Sequence, residues 1–116
     1  MRVPQKQLKK WLEALRSGEY RQDRLVLQNF KTKGYCCLGV ACKVLVPNYD
    51  KITTFDGNNI LIGALPKTKF GAPKWLTEID DDVAKTTGTR LSAYNDIEGF
   101  TFNEIADLLE SLYLEE

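Results

Sequence analysis

The sequence predicts an α+β fold in which a small antiparallel sheet packs with three to four helices, as a single domain over residues 1–116. Three observations lead there. Apolar residues recur at helical spacing near both ends of the chain. Short apolar runs bounded by turn residues, typical of strands, lie at 24–30 and 51–63. The length of 116 residues and the 43% hydrophobic fraction suit one globular domain.

The first predicted helix covers residues 5–17. Pro4 suits the first turn of a helix, and Gly18 suits the position just past its end. The apolar residues follow one helical face: Leu8, Trp11, Leu12 and Leu15.

A short strand is predicted at 24–30, where the side chains alternate between two faces, with a turn at 31–34. Residues 35–46 are almost all apolar and longer than an ordinary strand, so we interpret them as a buried helix closed by Pro47. Gly39 would then allow another element to approach closely. Periodicity alone leaves a buried strand open for this segment.

In the middle of the chain, the turn residues Asp56-Gly57-Asn58 predict a hairpin at 51–63. A loop is predicted at 66–73. Residues 73–79 suit one helical turn with Trp75 and Leu76 inward, and both tryptophans, Trp11 and Trp75, are expected in the core. The run 80–82 is either solvated or the start of a helix.

Three further elements close the chain. Residues 86–89 are expected to form a turn, and residues 91–94 a short element followed by a turn at Asn95-Asp96. The last helix is predicted at 102–113, because Thr101 and Glu104 match a capping box. Its buried stripe is made by Phe102, Ile105, Ala106, Leu109 and Leu112.

Charge is balanced overall, with 16 basic and 16 acidic residues, so the net charge does not favour binding to nucleic acid or to a membrane. The distribution is uneven, since residues 1–33 are mainly basic and residues 78–116 mainly acidic. Either the two ends lie together and neutralise each other, or the N-terminal third forms an anion-accepting face.

The three cysteines, Cys36, Cys37 and Cys42, make a poor disulfide framework. Residues 1–20 hold no apolar core of signal-peptide length, and no apolar window of the chain has the length of a membrane span. We therefore expect a cytoplasmic protein, located in the host cytoplasm if it is phage-encoded.

The absence of histidine excludes Ser-His-Asp and Cys-His catalysis and His-ligated zinc. A thiol at the start of a helix, such as Cys36 or Cys37, could still act as a nucleophile, but small apolar residues packing a helix explain both better. Neither the cysteine spacing nor the Asp80–Asp82 run has the pattern of a metal site. We expect no metal and no cofactor.

Basic side chains before the helix start at 35 suggest an anion site. The geometry of a short strand leading into that helix predicts a concave surface at its N-terminus, closed by the Asn95-Asp96 turn. Capping and turn formation are the alternative role for that pair. The predicted ligand-binding residues are Arg21, Arg24, Lys33, Tyr35, Cys36, Asn95 and Asp96.

Several segments together carry a resemblance: LRSGEYRQ at 15–22, YCCLGVAC at 35–42, LP at 65–66, LSAYND at 91–96 and FNEIAD at 102–107. In this order the chain is similar to a group of small bacteriophage and prophage proteins, although Tyr94 stands where that group usually has Leu. The resemblance implies a phage origin and no established activity.

The resulting functional hypothesis is a non-catalytic, phage-derived binding protein, a counter-defence factor that sequesters a nucleotide-like anionic ligand. The alternative is a protein-interaction module that inhibits a host enzyme through its acidic C-terminal face, and a cysteine-dependent enzyme is the third hypothesis. The expected partner is a nucleotide-like small molecule or a host protein. Membranes are excluded, nucleic acid is not favoured, and a homo-oligomer stays open.

Overall fold

The computed structural model describes residues 1–47, 59–61 and 72–115. Helices dominate the described residues and are α1 (Gln5–Arg16), α2 (Cys37–Leu45), α3 (Lys74–Thr87), α4 (Leu91–Asp96) and α5 (Phe102–Tyr113). The strands are short and are β1 (Arg21–Gln22), β2 (Val26–Asn29), β3 (Gly34–Tyr35) and β4 (Asn59–Leu61). The predicted α+β class is confirmed, with five helices in the described part of the chain where three to four were expected.

The strands form one sheet in the order β1-β3-β2-β4. β2 pairs antiparallel with both β3 and β4, whereas β1 pairs parallel with β3. The sheet is therefore mixed, which corrects the expectation of a purely antiparallel one. The parallel pair arises because the chain passes through β2 before returning as β3 beside β1.

The strand predicted at 24–30 is shorter than expected, since β2 begins only at Val26. Leu25 has φ +66°, in the left-handed region, so the backbone turns just before the strand. Leu25, which the sequence placed within the strand, therefore lies outside it and is 69% exposed.

Residues 37–45 are helical, as predicted, and not a strand. A Cβ at Gly39 would lie 1.7 Å from the carbonyl oxygen of Leu27 in β2. The same oxygen accepts a hydrogen bond from the Cys36 N–H at 3.3 Å. The prediction that Gly39 permits close approach is confirmed, because α2 packs directly on the backbone of the central strand.

α1 and α5 also fall where the sequence placed them, and they pack on each other. Thr101 and Glu104 form the predicted capping box. Trp11 is fully buried, and its indole Nε1 donates to the carbonyl of Cys37 at 3.1 Å. Trp75 is also buried, with its ring centroid 5.9 Å from that of Trp11, so both tryptophans belong to the core as expected.

α3 is longer than the single turn predicted at 73–79 and takes in the acidic run at 80–82. Ile79 and Val83 are buried and continue the apolar stripe past the aspartates. Tertiary packing of that stripe overrides the weak helix propensity of consecutive Asp residues. The helix ends at Gly88, which has φ +85° and suits the left-handed cap, so the predicted turn at 86–89 begins later than expected.

Two predicted elements fall mainly outside the described residues. These are the hairpin at 51–63, of which only β4 is described, and the loop at 66–73. Among the described helices, none is both long and apolar enough to cross a lipid bilayer.

Candidate functional site

The start of α2 is closed by side chains of the chain itself. Asn95 Oδ1 accepts a hydrogen bond from the Cys37 N–H at 3.3 Å. Cys36, Cys37 and Asn95 are all 0% exposed. The expectation that this helix start is open to a ligand is therefore wrong, because Cys36 and Cys37 are buried and the Cys37 N–H is already bonded to Asn95.

Asn95 uses its full hydrogen-bonding capacity. Its Oδ1 also accepts from Gln22 Nε2 at 2.9 Å, while its Nδ2 donates to the Asp23 carbonyl and to Asp96 Oδ1, each at 2.8 Å. The residue lies within α4, which corrects the prediction of a turn at Asn95-Asp96. Of the two predicted roles for Asn95, the structure shows the capping role.

Gln22 is the residue that sequence reasoning missed. Its Oε1 accepts from the Phe102 N–H at 3.1 Å, at the start of α5, and its Nε2 donates to the Phe100 carbonyl at 2.7 Å. Because Gln22 also binds Asn95, one pair of amide side chains caps two helices. The signal for Gln22 was its place in the LRSGEYRQ segment at 15–22.

The loop between β1 and β2 is anchored to the end of α4. The Leu25 N–H donates to Asp96 Oδ1 at 2.9 Å, and Arg24 Nε donates to the Asn95 carbonyl at 3.3 Å. Asp23 Oδ1 accepts from the Arg24 N–H at 2.8 Å. Arg24, Asn95, Asp96 and the start of α2 thus meet, as expected from a short strand that leads into this helix.

Arg21 and Lys33 lie nearby on the edge of the sheet, since Arg21 pairs with Gly34 in register. Both side chains are exposed. Tyr35 is half-buried, with its hydroxyl accepting from Gln28 Nε2 at 3.2 Å and its ring edge-on to Tyr20. We call the exposed cations of residues 21–33 the basic edge, and they are Arg21, Arg24, Lys31 and Lys33.

The seven predicted site residues therefore separate by exposure. Arg21, Arg24 and Lys33 are exposed, and Tyr35 and Asp96 are intermediate. Cys36 and Asn95 are buried, each with 0% of its surface exposed. Ligand binding by the exposed residues stays a prediction.

The acidic C-terminal part is largely engaged within the chain. Arg16 on α1 binds Asp107 and Glu110 on α5 at 2.7 and 2.8 Å, and these carboxylates raise the pKa of its guanidinium. Arg2 reaches Glu115 at 3.4 Å. The interpretation that the two ends lie together and neutralise each other holds for these contacts.

Three further acidic residues, in α3, are also engaged within the chain. Asp80 accepts from the Ser92 N–H at 2.7 Å at the start of α4, and Asp81 pairs with Arg90. Asp82 accepts from the Tyr113 hydroxyl at 2.7 Å. By contrast, within residues 1–47 and 72–115 no carboxylate lies at ion-pair distance from the basic edge.

A groove of about 330 Å³ lies beside the site. Lys10, Glu13, Tyr20 and Val44 are among its lining residues, and none of the seven predicted site residues is. Tyr20 connects the two regions, because its ring centroid lies 5.5 Å from that of Tyr35.

The three thiols are free and buried. Burial raises the pKa of Cys36 from 9.0 to about 12, although the N–H groups of Gly39 and Leu38 oppose the shift. Burial likewise raises the pKa of Cys37 and Cys42. A thiolate nucleophile is therefore strongly disfavoured at neutral pH. Within the described residues no three His, Cys, Asp or Glu side chains cluster as metal ligands would.

Because the three thiols are buried and their pKa values are raised, we expect slow alkylation and a loss of stability at alkaline pH. The folded pKa of Cys36 lies above its unfolded value, so its proton stabilises the fold below about pH 9, and that stability is lost as the pH rises toward 12. We expect the free energy of unfolding to fall by up to about 1.4 kcal/mol per pH unit for this thiol. Urea titrations from pH 7 to 11 measure the slope, and Cys36→Ala should reduce it.

Iodoacetamide labelling provides the second measurement for this prediction. In native protein at neutral pH all three thiols should react far more slowly than in urea-unfolded protein. Rapid labelling of native Cys36 or Cys37, or stability that stays flat across the alkaline range, would contradict the buried, protonated state.

Comparison with known proteins bears on the family of this chain. Neither a curated protein nor a solved structure matches the chain. A family model described as a domain of unknown function, DUF8296, matches residues 3–113, which takes in every helix and strand of the site. The chain belongs to the DUF8296 family.

Proposed function

We propose that this chain is a non-catalytic binding protein that captures a nucleotide-like anionic ligand at its basic edge. The observation that carries the proposal is the contrast in charge pairing. Most acidic residues after residue 78 have intramolecular partners, whereas Arg21, Lys31 and Lys33 face solvent without a carboxylate partner among the described residues. Unpaired cations on a fixed edge suit an anion.

The same contrast weakens the alternative in which an acidic C-terminal face docks on a host enzyme. Asp107 and Glu110 are held by Arg16, and Glu104 is used in the capping box. Docking through this face would have to compete with these contacts. The buried, protonated thiols likewise argue against a cysteine-dependent enzyme.

The resemblance to phage and prophage proteins supports the finer proposal. In a phage-encoded protein, capture of a host nucleotide signal in the bacterial cytoplasm is a counter-defence activity. This part of the proposal is supported by the sequence resemblance and not by the chemistry of the site.

Binding should depend on the cations of the edge. The variant with Arg21→Gln and Lys33→Gln removes two exposed charges and leaves the Arg24 contact with Asn95 intact. We expect it to bind an anionic nucleotide about tenfold more weakly, with a smaller salt dependence. Thermal shift against cyclic and ADP-ribose-type nucleotides identifies a ligand, and calorimetry then compares the variants.

The matched control is Lys6→Gln with Lys9→Gln, which removes the same charge from the exposed face of α1. It should bind like the wild type. If no nucleotide raises the melting temperature, or if both double variants lose affinity equally, the basic edge is not the ligand site.

A further inference from the structure

An exposed aromatic side chain lies in the turn that joins β2 to β3. Residues 30–33 form this turn, which we call the aromatic turn. Phe30 is 43% exposed there, although phenylalanine is among the residues most often buried in proteins. Lys31, which follows it, and Lys33, at the end of the turn, are exposed as well.

Side-chain hydrogen bonds hold the backbone of the aromatic turn. Asn29 Oδ1 accepts from the N–H groups of Lys31 and Thr32, at 2.9 and 3.1 Å. Thr32 Oγ1 accepts from the Gly34 N–H at 3.2 Å and donates to Asp23 Oδ2 at 2.7 Å. The turn is therefore fixed at both ends, so a ligand that binds it does not have to order its backbone.

The fold brings three cations to this turn. Lys31 and Lys33 belong to it, and the first and last Cα atoms of a four-residue turn lie within about 7 Å of each other. Arg21 is the register partner of Gly34, the residue that follows Lys33. The carboxylate of Asp23 contacts the turn, but both of its oxygens already accept hydrogen bonds within the chain. The exposed charge at the turn is therefore mainly positive.

Lys33 holds a conformation that lysine rarely adopts. Its φ of +62° lies in the left-handed region, which glycine adopts freely. Because glycine would close the turn with less strain, turn formation does not account for the lysine. A charged side chain kept at a strained position is typical of a binding site.

An exposed aromatic ring next to cations suits a nucleotide. Bases stack on aromatic faces, and phosphate groups bind to lysine and arginine side chains. We infer that the base of the ligand stacks on Phe30 while Lys31 and Lys33 bind its phosphate groups. The inference rests on the proposed function and deepens it, because it assigns recognition of the base, which charge alone does not provide.

A single nucleotide suits the aromatic turn better than a nucleic acid strand does. Surfaces that bind single strands stack successive bases on aromatic side chains along a basic groove, whereas residues 30–33 contain one aromatic ring. The chain also has no net charge, which does not favour a long polyanion.

Calorimetric titration of ADP and of pyrophosphate compares a ligand that has a base with one that has phosphate groups alone. The wild type should bind ADP about tenfold more tightly or better, because stacking of one base on an aromatic side chain contributes at least that factor. Phe30→Ala should lose this difference and bind pyrophosphate like the wild type. The variant with Lys31→Gln and Lys33→Gln should weaken both ligands.

Phe30→Trp and Phe30→Leu are the matched pair, since both keep a large apolar side chain and tryptophan alone keeps an aromatic face. Phe30→Trp should bind ADP like the wild type, and Phe30→Leu like Phe30→Ala. In proton NMR spectra the adenine signals of bound ADP should shift upfield with Phe30 or tryptophan and not with leucine. Pyrophosphate binding retained by each variant shows that it is folded.

Equal affinity of the wild type for ADP and pyrophosphate, or equal ADP affinity of Phe30→Leu and Phe30→Trp, would overturn the inference and leave anion capture at the basic edge standing. If neither pyrophosphate nor any nucleotide binds, the proposed function fails and the inference fails with it. An oligonucleotide that binds more tightly than ADP at the same salt concentration, with affinity rising with its length, would show that a strand is the occupant.

Discussion

Gly39→Ala should unfold the protein or destabilise it by about 3 kcal/mol or more. The added Cβ would lie 1.7 Å from the carbonyl oxygen of Leu27, and both groups are held by backbone structure. Either α2 must move away from β2 or the strand must bend, and overpacking on that scale costs several kcal/mol. The gain in helix propensity from alanine, about 1 kcal/mol, offsets only part of this loss.

Urea denaturation of the wild type, Gly39→Ala and Gly88→Ala measures the effect. Gly88 has φ +85° but no atom within 4 Å of an added Cβ, so its alanine variant reports backbone strain alone and should lose about 1 kcal/mol. If Gly39→Ala proves insoluble while Gly88→Ala folds, the close contact is supported. A Gly39→Ala variant as stable as Gly88→Ala would show that α2 does not sit against the Leu27 carbonyl.

Asn95→Ala should cost about 3 kcal/mol or more. The change leaves the Cys37 N–H without its acceptor and the Asp23 carbonyl without its donor, and each buried unpaired group costs about 1–3 kcal/mol. It also frees Gln22, so the starts of both α2 and α5 are affected. The loss in the free energy of unfolding should therefore exceed that of an ordinary helix cap.

Asn95→Asp keeps the shape of the side chain but replaces the donating amide with a carboxylate. That carboxylate would face the Asp23 carbonyl and the Asp96 carboxylate, both of which now accept from Nδ2. We expect this variant to be destabilised as well, and more so at neutral than at acidic pH. Asn103→Ala, at an exposed site on α5, is the control and should change stability by less than about 0.5 kcal/mol.

Much of the fold could be predicted from the sequence because the relevant signals are local. The capping box at Thr101 and the apolar stripes of α1 and α5 report directly on the helices they form. The close approach at Gly39 was also predictable, because a glycine within a buried apolar run is typical of a position where a side chain would collide with a neighbouring element.

The errors came from contacts between distant parts of the chain. α3 continues through Asp80–Asp82 because Ile79 and Val83 pack into the core, which no local propensity reveals. The capping of α2 depends on Asn95, which lies 58 residues away from Cys37. For the same reason the helix start was predicted to be open, although the expected proximity of Arg24, Asn95 and the start of α2 is found.

Asn95 and Gln22 also bear on how the chain folds during synthesis. Five of their hydrogen bonds join residues 58 to 80 positions apart, and α5 packs on the apolar face of α1. Such non-local contacts form late and slowly. In a nascent chain α2 can therefore cover its part of the α1 face early, whereas the part that packs on α5 stays exposed until α5 leaves the ribosome.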